Sequence, residues 1–70
     1  MLIVFVYLDK NFAIEIEGET FNDVKTILIE DYGLNFDLSF YIDSVAIPDK
    51  KYFEPIQKFP DIQDYTEVII

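Results

Sequence analysis

Hydrophobic residues recur at three- and four-residue intervals in the stretch Thr20–Leu34. This spacing places them on one face of a helix and leaves the polar residues on the opposite face. Thr20 and Asp23 have the spacing of a capping box at the helix start, and Gly33 is the residue type that favours a left-handed helix end. The pattern therefore predicts a helix over about residues 21–32. The core face of this helix would consist of Phe21, Val24, Ile27 and Leu28.

The N-terminal stretch Leu2–Leu8 is apolar at every position. Side chains alternate between the two faces of a strand, so both faces of this strand would be apolar. Such a strand is typical of the centre of a sheet, or of a strand whose outer face binds a partner. Ile3, Phe5 and Tyr7 would lie on one face, and Leu2, Val4 and Val6 on the other.

Several later segments alternate between apolar and polar residues. After a turn at Asp9–Asn11, the segment Phe12–Glu17 is predicted to complete a hairpin with the first strand. Leu38–Asp43 is predicted to be a third strand with Leu38, Phe40 and Ile42 facing inward. Pro48 ends a short edge strand at Val45–Ile47, because proline cannot donate to a central ladder. The last strand is predicted at Thr66–Ile70.

Pro55 and Pro60 exclude a long helix or a central strand from the segment between them. We expect a wrapped loop there, held in place by Phe53, Ile56 and Phe59. A short 3₁₀ turn is predicted near Asp61–Asp64.

The order of these elements corresponds to a β-grasp fold. The chain resembles ubiquitin and the ubiquitin-like domains over nearly its whole length. The resemblance rests on the apolar opening MLIVFV, the helix TFNDVKTILIEDYGL, the strand with Tyr41-Ile42, and the late segments Asp61-Ile62-Gln63 and Val68-Ile69-Ile70. It implies an α+β protein in which residues 1–70 form a single ubiquitin-like domain. The sheet would be mixed, with four or five strands and the helix packed across it, and the last strand would lie parallel to the first.

Ubiquitin and related sulfur carriers end in a flexible Gly-Gly tail whose carboxylate is adenylated, whereas this sequence stops at Ile70. A β-branched residue within the last strand cannot enter the narrow channel of an activating enzyme. We therefore expect neither a conjugated modifier nor a sulfur carrier, unless the native protein is longer.

The composition excludes several kinds of site and partner. The 70 residues include no cysteine, histidine or arginine, so disulfides and the usual zinc or iron–sulfur sites are ruled out. Fourteen acidic residues against five lysines give a net charge of −9, which opposes binding to nucleic acid and to anionic membranes. The apolar opening is too short to span a bilayer and lacks the features of a signal peptide. We expect an intracellular, cytoplasmic protein.

Candidate chemistry is limited to paired carboxylates. Asp61 with Asp64, or Glu30 with Asp31, has the residue types of an acid–base pair or a hard-cation site, but solvated surface is the better interpretation. No nucleophile turn, phosphate loop or calcium loop is present in the sequence. We therefore predict no catalytic, cofactor or metal site.

Three functions from different classes fit these observations. The first is a protein-interaction module that binds a protein partner, or a second copy of itself, through the outer face of its sheet. The second is an acidic inhibitor of viral or mobile-element type that imitates nucleic acid in a basic groove. The third, an enzyme or carrier, has the least support. The outer face would comprise Leu2, Val4, Val6, Ile69 and either Tyr41 or Ile42, depending on the strand register.

Overall fold

The structure, a computed structural model, describes residues 1–35 and 37–70. Within these residues the chain forms five strands, one α-helix and two 3₁₀ turns. The strands are β1 (Leu2–Tyr7), β2 (Lys10–Glu15), β3 (Tyr41–Ile42), β4 (Val45–Ala46) and β5 (Glu67–Ile69). The helix α1 spans Phe21–Glu30, and the 3₁₀ turns span Asp49–Lys51 and Ile56–Lys58.

The sheet has the strand order β2-β1-β5-β3-β4, with β1 between β2 and β5. β1 is antiparallel to β2 and parallel to β5, as predicted for a β-grasp fold. β5 in turn pairs antiparallel with β3, and β4 pairs antiparallel with β3 at the edge of the sheet. This edge position is the one predicted from Pro48, which follows the strand. The short N-terminal hairpin and the returning C-terminal strand therefore build a mixed sheet around the apolar first strand.

The hydrophobic core lies between the inner face of this sheet and α1. Phe21, the first residue of the helix, is fully buried and contacts four aromatic rings from three other parts of the chain. Its ring centroid lies 5.0 Å from that of Phe40, 5.3 Å from Phe59, 6.1 Å from Tyr52 and 6.5 Å from Phe5. The complete set of buried residues is Ile3, Phe5, Ile16, Phe21, Val24, Leu28, Leu38, Phe40, Ile47, Tyr52, Ile56, Ile62 and Val68.

The predicted capping box is present at the helix start, and Gly33 has the predicted left-handed conformation after the helix end. The Thr20 hydroxyl accepts a hydrogen bond from the Asp23 backbone N–H (3.1 Å), and the Asp23 carboxylate accepts one from the Thr20 N–H (3.0 Å). At the other end, the Leu34 N–H donates to the Leu28 carbonyl (3.1 Å) across Gly33, whose φ is +73°. This bond joins residues six positions apart, one more than in a Schellman motif, whose bond from Leu34 would end at Ile29. The regular helix ends at Glu30, two residues earlier than the sequence predicts, and Asp31 is its C-cap.

Replacing Gly33 with valine is expected to lower the free energy of unfolding by about 1–2 kcal/mol. A β-carbon at this position meets no atom within 4 Å, so the cost arises from the left-handed backbone and not from a collision. Asparagine tolerates this conformation, and Gly33→Asn is therefore the matched control with a smaller loss. Urea denaturation of the two variants provides the measurement. Equal stability of Gly33→Val and the wild type would contradict this cost of the left-handed conformation.

The third strand is shorter than the predicted Leu38–Asp43. Leu38 and Phe40 are buried as expected, but regular pairing begins only at Tyr41. The Phe40 N–H donates to the Tyr52 hydroxyl (3.1 Å), and its carbonyl accepts from the Ile47 N–H (2.9 Å). A side chain therefore satisfies the backbone donor that a neighbouring strand would otherwise satisfy.

The predicted turn at Asp9–Asn11 is also displaced. β2 begins at Lys10, directly opposite Tyr7, so the hairpin loop consists of Leu8 and Asp9. Leu8 takes a positive φ of +55°, a conformation that a two-residue hairpin loop requires but that leucine rarely adopts. Because leucine is rare at a positive φ, the sequence pattern placed the turn at the polar residues Asp9–Asn11 instead.

The segment Tyr52–Pro60, which we call the wrapped segment, is anchored in the core by a different aromatic residue from the one predicted. Phe53 is 70% exposed, whereas its neighbour Tyr52 is buried among the aromatic rings of the core. The predicted anchors Ile56 and Phe59 do contact the core, with Ile56 fully buried. The 3₁₀ turns lie at Asp49–Lys51 and Ile56–Lys58, and not near Asp61–Asp64.

Replacing Tyr52 with phenylalanine is expected to lower the unfolding free energy by about 1–3 kcal/mol, because the buried Phe40 N–H loses its acceptor. Tyr65→Phe is the matched control, since Tyr65 is 72% exposed and its hydroxyl makes no hydrogen bond with a described residue. The control should change stability by less than about 0.5 kcal/mol. Thermal or urea denaturation of both variants tests the bond, which an equal effect of the two substitutions would disprove.

Candidate functional site

The face of the sheet opposite the helix carries all but one of the predicted interaction residues. Along β1, Ile3 and Phe5 are fully buried in the core, so the alternate residues project from the other side. Leu2, Val4 and Val6 are these alternate residues, and each is half-buried. The sequence assigned the three aliphatic side chains to this face, and the structure places them there.

Strand register extends this face into a continuous apolar row. Val6 lies beside Ile69 of β5, Ile69 lies beside Tyr41 of β3, and Tyr41 lies beside Ala46 of β4. We call these four residues, Val6, Ile69, Tyr41 and Ala46, the outer row. Neighbouring strands are about 4.8 Å apart, so the row spans roughly 14 Å. Ile69 is 42% exposed and Tyr41 is 37% exposed, which makes both available to another molecule.

The alternative between Tyr41 and Ile42 is resolved by this register. Tyr41 faces outward between Ile69 and Ala46, whereas Ile42 is partly buried against the core. Ile42 was included among the predicted partner-binding residues, and its position on the inner side excludes it from the outer face. The sequence alone left the assignment open, because both residues are apolar and a register shift of one residue exchanges the two faces.

The wrapped segment, residues 52–60, is the part of the chain that could cover the outer face of so small a domain. It lies instead against the start of the helix. The Asn22 N–H donates to the Tyr52 carbonyl (3.0 Å), and the Ile56 N–H donates to the Glu19 carbonyl (3.0 Å). Pro55 also forms a bridge with Thr20. The contacts of this segment therefore cover the inner layer of the domain and leave the outer row open.

Leu8 and Tyr65 are exposed apolar residues beside the strands that were not predicted as site residues. Leu8 is 82% exposed at the tip of the hairpin, and Tyr65 is 72% exposed immediately before β5. Both have a positive φ, +55° for Leu8 and +67° for Tyr65, which is rare for large side chains. For Leu8 a signal existed, since it continues the alternation of Leu2, Val4 and Val6. Nothing in the sequence around Tyr65 indicates its conformation.

The carboxylate pairs considered for catalysis do not converge on a site. Asp64 accepts a hydrogen bond from the Leu2 N–H (2.9 Å), so this carboxylate ties the start of β1 to the turn before β5. Glu30 and Asp31 are exposed at the end of the helix. In the described part of the chain, no group of three metal-ligating side chains comes together.

Several surface clefts of the described residues are open to solvent. One, of about 400 Å³, lies between the helix and the wrapped segment, with Asn22, Lys25, Asp49 and Phe53 among its walls. Its lining also includes Asp37, Leu38, Ser39 and Tyr52. Among residues 1–35 and 37–70, no helix has the length and apolar character needed to cross a bilayer.

A solved structure confirms the fold. The chain is similar to the ubiquitin-like domain of an Arabidopsis thaliana protein determined by NMR in solution, with a TM-score of 0.74. The match covers 99% of this chain and 72% of the Arabidopsis domain, at 15% sequence identity. No protein-family model and no curated protein matches the sequence. The protein therefore has a ubiquitin-like β-grasp fold, and this fold accounts for its strand order and its helix.

Proposed function

We propose that the protein is a small, acidic, non-catalytic module that binds a protein partner through the outer face of its sheet. The outer row is the observation that carries this proposal. It brings apolar side chains from four strands into one line, and the wrapped segment that might have covered them packs elsewhere. A ubiquitin-like fold is compatible with this role, since its sheet has a free side.

The composition of the outer row suits a protein interface. Tyrosine combines a large apolar ring with a polar hydroxyl, and it is enriched where proteins meet. Tyr41 lies near the middle of the row, flanked by Ile69 and Ala46. Adjacent apolar residues on a small domain are favoured contact points, whereas a single exposed aliphatic residue has no such meaning.

Capture from an extract of the source cells tests the proposal. Three immobilised proteins are compared: the wild type, the outer-row variant Tyr41→Ser/Ile69→Ser, and the apolar control variant Val45→Ser/Phe53→Ser. Val45 is 69% exposed and Phe53 is 70% exposed, so the control removes apolar surface outside the outer row. A partner retained by the wild type and the control, but not by the outer-row variant, supports the proposal. Equal retention by all three contradicts it.

An acidic decoy is the second candidate function, and one observation favours it. Within the described residues, the one ion pair joins the N-terminal ammonium to Glu15 (3.1 Å), so the other carboxylates have no cationic partner. Such a surface suits the basic groove of a nucleic-acid-binding protein. The salt dependence of partner binding distinguishes the two functions. Binding through apolar contacts persists at about 0.5 M salt, whereas binding through carboxylates that imitate phosphate weakens steeply.

A further inference from the structure

The outward positions of the sheet carry negative charge at one end and no positive charge. Side chains opposite one another on neighbouring strands share a face, so the register identifies this set. The outward residues are Leu2, Val4, Val6, Asn11, Ala13, Glu15, Tyr41, Ala46, Glu67 and Ile69. Glu15 and Glu67 are the two charged members, and both are exposed. The face is thus apolar along the outer row and acidic beside it.

Glu67 is the carboxylate best placed to meet a partner. It lies beside Val4 and two residues before Ile69 on the same strand, which places it about 6.6 Å along the strand from the outer row. Glu15 lies beside Leu2 and contacts the N-terminal ammonium at 3.1 Å. Glu67, in contrast, makes no hydrogen bond or ion pair with any residue that the structure describes. Its charge is available to a cation from another molecule.

The lysines lie on other parts of the molecule. Lys25 is on the helix, and Lys10 is opposite Tyr7, so it projects to the inner side of the sheet. The remaining three lie in the two 3₁₀ turns, which pack near the helix start. A second copy of this chain would present the same acidic face and the same net charge of −9. Like charges oppose that pairing, whereas a cationic partner is attracted.

We propose that the outer face binds a cationic amphipathic helix of a partner protein. The inference rests on the proposed function, since it specifies the partner of the same face. An apolar stripe over residues i to i+8 of a helix is about 12 Å long, close to the roughly 14 Å of the outer row. Lysine or arginine on the flank of that helix reaches Glu67 while the stripe covers Ile69 and Tyr41.

Synthetic peptides of roughly 18 residues test this chemistry. Three helical peptides share one leucine stripe and carry lysine, glutamine or glutamate along both flanks. Their dissociation constants are measured by NMR titration of the full chain, which also shows which amides shift. We expect the lysine peptide to bind about fivefold tighter than the glutamine peptide, the glutamate peptide to bind weakest, and the shifts to centre on β1, β3 and β5.

Two charge-reversal variants distinguish binding at Glu67 from a general attraction of cationic peptides to the negatively charged protein. Glu67→Lys should weaken the lysine peptide roughly tenfold and give the glutamate peptide the higher affinity. Glu30→Lys makes the same change in net charge on the exposed helix surface, and it should alter affinity by less than about twofold. The inference is overturned if both reversals weaken binding equally, if the three peptides bind alike, or if none binds.

The outer-row variant distinguishes this inference from the function on which it rests. If Tyr41→Ser/Ile69→Ser loses peptide binding while the wild type binds the lysine, glutamine and glutamate peptides with equal affinity, the interaction face is supported and the cationic partner is rejected. Binding that depends on Glu67 but is unchanged in the outer-row variant would reject the interaction face itself.

Discussion

Replacing Phe21 with alanine is expected to lower the free energy of unfolding by about 3–5 kcal/mol, the range found for large aromatic residues in closely packed cores. Phe21 is fully buried and contacts Phe5, Phe40, Tyr52 and Phe59. These rings come from the first strand, the segment before β3 and the wrapped segment. The helix start is therefore the point where the separate parts of the domain join, and a cavity there weakens all of them.

A loss of this size is a large share of the total stability, which is roughly 4–10 kcal/mol for a domain of this length. Urea denaturation followed by circular dichroism measures it, and part of the Phe21→Ala population should be unfolded without denaturant. Phe53→Ala is the matched control, because Phe53 is 70% exposed and should change stability by less than about 0.5 kcal/mol. Similar midpoints for the two variants would show that Phe21 is not central to the core.

The second large effect concerns binding and leaves the fold intact. Tyr41→Ser/Ile69→Ser removes the two most exposed large side chains of the outer row, which are 37% and 42% accessible. Anchor residues of this kind supply much of the energy of an interface, so the affinity for the partner should fall on the order of 100-fold. Neither side chain belongs to the buried core, and the variant should therefore still unfold cooperatively.

Val4 and Val6 are less suitable for this test than Tyr41 and Ile69. Val4 and Val6 lie on the outer face but are half-buried within the central strand. A charge introduced there would combine loss of binding with loss of strand packing. Tyr41 and Ile69 lie further from the centre and are more exposed, so their substitution separates the two effects.

Much of the fold could be predicted because hydrophobic periodicity reports directly on burial. The three- and four-residue spacing around Val24 and Leu28 defined the helix and its buried face, except that Ile27 is only half-buried. The cap at Thr20 and the left-handed Gly33 follow from local backbone chemistry. The uniformly apolar first strand indicated a central position, which the pairing with β2 and β5 confirms. These features depend on residues close together in sequence.

The parts that could not be predicted depend on contacts between distant residues. The bond from the Phe40 N–H to the Tyr52 hydroxyl shortens the third strand, and no local pattern indicates it. The choice between Tyr41 and Ile42 for the outer face depends on the pairing with Ile69, which is almost thirty positions further along the chain. The acidic character of that face likewise emerged only when Glu67 was placed beside Val4.

The affinity of the captured partner for the wild type, the outer-row variant and the apolar control variant is the most direct test of the interaction face. Isothermal titration calorimetry measures all three dissociation constants under one set of conditions, after circular dichroism has shown that each protein is folded. We predict that the outer-row variant Tyr41→Ser/Ile69→Ser binds on the order of 100-fold more weakly, while Val45→Ser/Phe53→Ser binds within about twofold of the wild type. Equal affinity of the outer-row variant and the wild type would contradict the account.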